Sequence, residues 1–213
     1  MSESTGFWEK ISAAGAMASV FGVLAGLSNI QFGFIEAVKG NIRPDSFMFK
    51  LYNQPALTVI PSYLLTGILG IGFSILFIIW SIGFVKRENG GVVMILIAVL
   101  QMLFGASLIR ISQEIIFGVI GTRINKPLRW WRKAIPSDSV IYLTKLWAPS
   151  FIICSFLYLV HISTIEIESF FGGNNRTVNL ILMIIPSYFN LFLFIFTLIS
   201  GFARDIWKQG VKS

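Results

Sequence analysis

The sequence predicts an all-α, polytopic transmembrane helical bundle, and three observations lead there. Hydrophobic residues make up 55% of the 213-residue chain and charged ones only 13%, where a soluble domain averages about a quarter charged. Uncharged runs such as "LLTGILGIGFSILFIIWSIGFV" (64–85) have the length of about 20 residues that crosses a bilayer core. These runs are apolar on every side, whereas a transmembrane barrel needs short segments of alternating polarity. A single membrane domain over 1–213 is expected, placed in the cell membrane.

The first span is expected over about 11–37. The preceding "MSESTGFWEK" lacks the basic region of a cleaved signal, so this helix is expected to be retained. Along it Gly15, Ala18, Gly22, Gly26, Asn29, Gly33 and Glu36 recur at intervals of three and four and share one face. The second span, about 59–85, carries a similar stripe of Ser62, Thr66, Gly70 and Ser74. Small residues let helix backbones approach closely, so Gly22, Gly26, Gly33 and Gly70 are expected at helix contacts. The same stripes would alternatively line a ligand groove.

The basic turn "KRENGG" (86–91) belongs at an interface. From Val92, a rise of about 1.5 Å per residue carries a helix across about 30 Å of hydrocarbon by roughly residue 111. Arg110 then emerges at the far face rather than at the bilayer centre. Two topologies follow for 92–124. It is one long helix, giving five spans with the N-terminus outside, or a short hairpin turning near Gly105–Arg110, with the N-terminus inside. The distribution of Lys and Arg fits both. The repeat of "IPSY" at 60–63 and 185–188, with the helices after it ending in "GFVKR" and "GFAR", favours the hairpin. Arms of only about 15 residues against a core needing about 20 argue against it.

Two further spans are expected over 148–165 and 178–203. Both topologies put loop 125–147 and the C-terminus in the cytoplasm and 166–177 outside. Within the cytoplasmic loop, "KPLRWWRK" brackets two indoles with basic residues. That mixture suits the head-group level, so Arg129, Trp130, Trp131, Arg132 and Lys133 are expected on the membrane surface. The net charge of +7 is then explained by anionic lipid head groups rather than by nucleic acid. "NRT" (175–177) is an N-glycosylation sequon.

The series "LLTGILGIGFSILFIIWSIGFVKRENGG", then "FGVIGTRI", "LRWWRK" and "LTKLW", resembles a group of small multi-pass prokaryotic membrane proteins of uncharacterised function. It covers roughly residues 20–150. The resemblance implies a membrane-helical fold and no activity.

Cys154 is the only cysteine and His161 the only histidine. Intrachain disulfides, cysteine-based zinc sites and sites needing several histidines are therefore excluded. No nucleophile elbow, phosphate loop or HExxH occurs, and no cofactor, metal or catalytic residue is expected. The polar candidates are Glu36, Arg110, Glu114, His161, Tyr63 and Tyr188, which the hairpin topology would gather on the outer face as a ligand site. Arg110 is expected to pair with Glu36, with Glu114 one turn along as a second acceptor. Asn29, Gln101 and Asn190 are the mid-membrane amides. The expected function is a ligand- or lipid-binding unit, or a subunit of a larger membrane assembly, which includes a homo-oligomer. The alternatives are a small-solute or ion transporter or channel acting as an oligomer, and a membrane-embedded enzyme on lipid using Glu36 or His161.

Overall fold

A computed structural model describes residues 11–44, 48–51, 54–171 and 185–211. The order is α1 (Ala13–Val38), β1 (Met48–Leu51), β2 (Gln54–Thr58), α2 (Tyr63–Gly83), α3 (Gly90–Leu103), β3 (Phe104–Ser107), α4 (Leu108–Gly121), α5 (Arg129–Ala134), α6 (Ser137–Phe171) and α7 (Ile185–Val211). Four of the described helices are long and apolar enough to cross a membrane: α1, α2, the 137–162 part of α6 and the 188–210 part of α7. The protein is a polytopic membrane-helical bundle. Its chain divides into two compact units, residues 15–124 and residues 125–213 together with 1–14.

In the 15–124 unit, α1 ends where Gly40 takes φ 77°, a left-handed conformation that stops a helix without the cost a side chain would bring. Ser62 restarts the chain as the N-cap of α2, accepting from the Leu65 amide and donating to Asn41 at 2.7 Å. The two helices cross with their backbones nearly touching. A Cβ on Gly33 would come within 2.9 Å of the Gly67 carbonyl, and one on Gly67 would run into the backbone of Gly33 and Ala37. Gly22 and Gly26 face Ser81 and Ile78 just as closely. Gly70, expected at a helix contact, lies at ordinary contact distance, a Cβ there meeting the Phe104 carbonyl at 3.9 Å and the Gly33 Cα at 4.0 Å. The tighter approach to Gly33 falls on Gly67, next to Thr66 of the stripe.

The segment 92–124 is a helical hairpin. After α2 the chain reverses through Asn89 at φ 64°, and the Trp80 indole donates to the Gly90 carbonyl at 2.9 Å. Helices α3 and α4 then run back to back, with Gly91 against the backbone of Gly118, Gly121 and Thr122. The tip of the hairpin is extended rather than helical. β3 pairs antiparallel with β2 (Ala56↔Ser107, Thr58↔Phe104), β2 pairs with β1, and the Val59 amide donates to Leu103 at 3.1 Å. The pairing supplies backbone partners that a non-helical tip needs when it is shielded from water. This three-stranded sheet was not foreseen in the sequence.

In the second unit, the segment expected as a loop, 125–147, holds α5 and the first turns of α6. Pro136 supplies the turn, since its carbonyl accepts from Ser139 and its fixed φ suits the start of a helix. Leu128 and Ile135 are buried beside α5, and Trp131 packs on Phe202 of α7 at 4.8 Å between ring centroids. α6 and α7 share a polar seam in which the Ser150 and Ser200 hydroxyls lie 3.5 Å apart and the Cys154 thiol donates to Asn190 at 3.6 Å. Pro149 sits inside α6. Near the end of α7, the Asp205 carboxylate accepts from the Ala13 and Ala14 amides at 2.7 and 3.0 Å, and Lys208 donates to the Ile11 carbonyl. Those are the first amides of α1, which a helix cannot satisfy internally.

Candidate ligand site

Each helix of the 15–124 unit brings one polar side chain to a common point: Asn29 from α1, Ser74 from α2, Gln101 from α3 and Glu114 from α4. All four are buried, Ser74, Gln101 and Glu114 completely. The Asn29 amide nitrogen donates to Glu114 Oε1 at 2.8 Å and to Gln101 Oε1 at 3.3 Å. The Ser74 hydroxyl, bonded to the Gly70 carbonyl, also lies 3.3 Å from Gln101 Oε1. Ser74 stands about 16 Å along α2 from Tyr63 at 1.5 Å per residue, close to half the thickness of a bilayer core.

The network has a direction set by its one carboxylate. Glu114 accepts, so Asn29 must turn its NH2 toward it; the same NH2 then demands the oxygen of Gln101. Every second atom of these groups is left over. Glu114 Oε2, Asn29 Oδ1 and Gln101 Nε2 are buried and have no hydrogen-bond partner among the described residues. A buried polar group without a partner costs roughly 1–3 kcal/mol. Here three such atoms fall on residues bonded to one another.

The expected charged residues lie around this cluster. Arg110, one turn before Glu114, donates to the Ser28 carbonyl and lies over the Phe32 ring at 5.2 Å. Glu36 is buried beside Thr66, with Lys39 as its charged neighbour, and its Oε1 has no hydrogen-bond partner among the described residues. Tyr63 is buried with Phe32 and Ile35, under the Lys39 ammonium at 4.7 Å. The remaining two candidates belong to the other unit, His161 half-buried on α6 and Tyr188 exposed on α7. On α5, Arg129, Trp130, Arg132 and Lys133 are exposed and Trp131 is half-buried.

Reasoning from sequence named Asn29 and Gln101 separately as mid-membrane amides, placed Ser74 on a packing stripe and gave Glu114 to Arg110. Their convergence was missed. The available signal was that each is an isolated polar residue in an apolar run, which is costly in a membrane unless it meets another. Comparison of the chain with family models, curated proteins and solved structures finds no match to any of them.

Proposed function

We propose that this membrane protein is a binding unit for a small polar ligand, held where Asn29, Gln101 and Glu114 meet inside the 15–124 unit. The observation that carries the reading is the set of leftover atoms, which offers an anionic acceptor, a neutral acceptor and a donor in one buried place. An intramembrane carboxylate is most often functional, and Glu114 lies next to two amides rather than in a bland apolar contact. A purely structural network would close on itself, because half-satisfied buried polarity is worse than an apolar core.

A transport role is the second reading, favoured by the buried polar residues Glu36, Thr66 and Arg110, together with Ser107 of β3, in the same unit as the cluster. On the topology we propose, the 84–89 turn, α5 and the C-terminus face the cytoplasm, with α5 against anionic lipid.

The test is chemical access. Ser74→Cys, made with Cys154→Ser so that it is the sole thiol, is treated with methyl methanethiosulfonate in membranes. Modification of the folded protein is expected. A thiol that reacts only after denaturation would reject the ligand site and leave a sealed structural network.

A further inference from the structure

One amide lies on the outside of the bundle, on a face that the binding role proposed above does not use. We propose that the protein forms a parallel two-fold dimer through the outward seam of α1, centred on Gln31.

The outer surface of the long helices is apolar through their middle stretches. Between Leu64 and Ile82 of α2 every exposed residue is Leu, Ile or Gly. Between Ile152 and Val160 of α6, and between Phe189 and Ile195 of α7, every exposed residue is Leu, Ile, Val or Phe. On α1, Gln31 is exposed. The helix ends at Val38, about 10 Å further on at 1.5 Å per residue. Gln31 also lies between Gly26, packed on Ile78, and Gly33, packed on Gly67, so it stands level with the body of α2. An amide at that depth carries a carbonyl and two N–H groups that lipid cannot satisfy.

The spacing of the seam fits one further helix. From residue 20 to 38 the exposed residues of α1 are Val20, Leu27, Gln31, Phe34 and Val38, with Leu24 half-buried in line with them. Their separations alternate between four and three, which is the a/d repeat by which a helix meets one neighbour. Every other residue of this stretch is buried or half-buried. A strip of a and d positions alone is narrow, the width of a helix contact.

The occupant follows from the amide. An amide is self-complementary, because its N–H donates to the carbonyl of an identical group while its own carbonyl accepts in return. Copies of one chain insert in one orientation, so a second α1 runs parallel and brings its Gln31 to the same depth. About a two-fold axis along the membrane normal each a position meets its own counterpart, and the two amides close on each other. A single polar a position among apolar ones also fixes the register and the number of helices. An apolar partner would leave the amide bare.

The experiment uses the full-length protein in lipid bilayers, with Cys154→Ser as background for single cysteines. Leu27→Cys on the seam is expected to form an intermolecular disulfide on mild oxidation. Ile75→Cys on α2 replaces a residue of similar exposure, 46% against 43% for Leu27, and should not. Association is then followed by energy transfer between copies labelled at the C-terminus. Gln31→Leu should weaken it about tenfold, the loss of an interhelical amide pair, while the Tm of the detergent-dispersed monomer does not fall. Gln31→Asn keeps an amide and should weaken association less. Association unchanged by Gln31→Leu would overturn the proposal, as would equal cross-linking at Ile75 and Leu27. A lower monomer Tm for Gln31→Leu, unrepaired in Gln31→Asn, would make Gln31 a structural residue and overturn it too. A wild type that stays monomeric would give the seam to a different membrane protein and sink the dimer. If a cysteine variant does not fold, the energy-transfer comparison of wild type and Gln31→Leu decides.

Discussion

Residues 15–124 hide polarity where four helices meet, whereas the α6–α7 pair strings its polar groups along one seam and puts its charges at the end. In the first unit, glycines bring α1 and α2 close together on both sides of Asn29, and several polar atoms of the cluster are left over. In the second, two hydroxyls lie 3.5 Å apart and the Cys154 thiol donates to the Asn190 amide oxygen at 3.6 Å, and Asp205 is turned to the amides of Ala13 and Ala14. Leftover buried polar atoms occur in both units, with Thr144 Oγ1 and Thr197 Oγ1 among those of the second, so the difference is one of arrangement. In the first unit they fall on residues bonded to one another, while the second turns the Asp205 carboxylate to the amides of a helix end.

The sharpest way to break the contrast is Gly67→Val. Its side chain would have to enter the backbone of Gly33 and Ala37, so the crossing must open, at a cost of about 3 kcal/mol or more. Gly210→Ala on α7 is the control: nothing lies within 4 Å of the added carbon, and thermal melts should show no loss or a slight gain, since alanine favours helix over glycine. Equal effects at the two sites would mean that α1 and α2 do not touch as described.

Next in size is Arg110→Leu, which removes a charge-assisted hydrogen bond and should cost about 2 kcal/mol. Combined with Glu36→Leu it should behave additively, with a coupling below about 0.5 kcal/mol, because Glu36 lies beside Thr66 and Lys39. A larger coupling in the double-mutant cycle would establish the ion pair expected from the sequence.

Asp205→Ala then tests the other unit. Losing a carboxylate that accepts from two helix amides should lower stability by about 1–2 kcal/mol, and Asp205→Asn should recover part of it. The smallest effect is expected on α5. Replacing Arg129, Arg132 and Lys133 with Gln should weaken preference for anionic lipid in nanodiscs by at most about 1 kcal/mol per charge. Unchanged lipid preference would remove α5 from the membrane surface.

What the sequence made legible was whatever repeats along one helix. Four apolar runs marked the spans, and the GxxxG spacing of Gly22 and Gly26 marked a close face. What it hid depends on partners distant in the chain. Glu114 was given to Arg110 because i,i+4 spacing is visible, while Asn29, 85 positions away, is invisible to any local period. That Gly67 comes nearer to Gly33 than Gly70 does turns on the facing of two helices, which no single sequence records. The sheet escaped notice because backbone pairing leaves no side-chain period, and Pro55 argues against a strand. Pro55 lies beyond the stretch that meets β3 and pairs only toward Lys50 of β1, so its missing N–H does not break the joint.

That joint has a bearing on biosynthesis. The ribosome delivers residues 54–58 before 104–107, so an edge capable of accepting the hairpin tip exists by the time the tip is made. The tip is then never obliged to wait in lipid with bare amides and carbonyls. Reversing the order of synthesis, by a circular permutation that starts the chain between α2 and α3, would make the hairpin before the strand that receives it. Such a protein should insert poorly and be degraded, even though every contact of its finished fold would be the same.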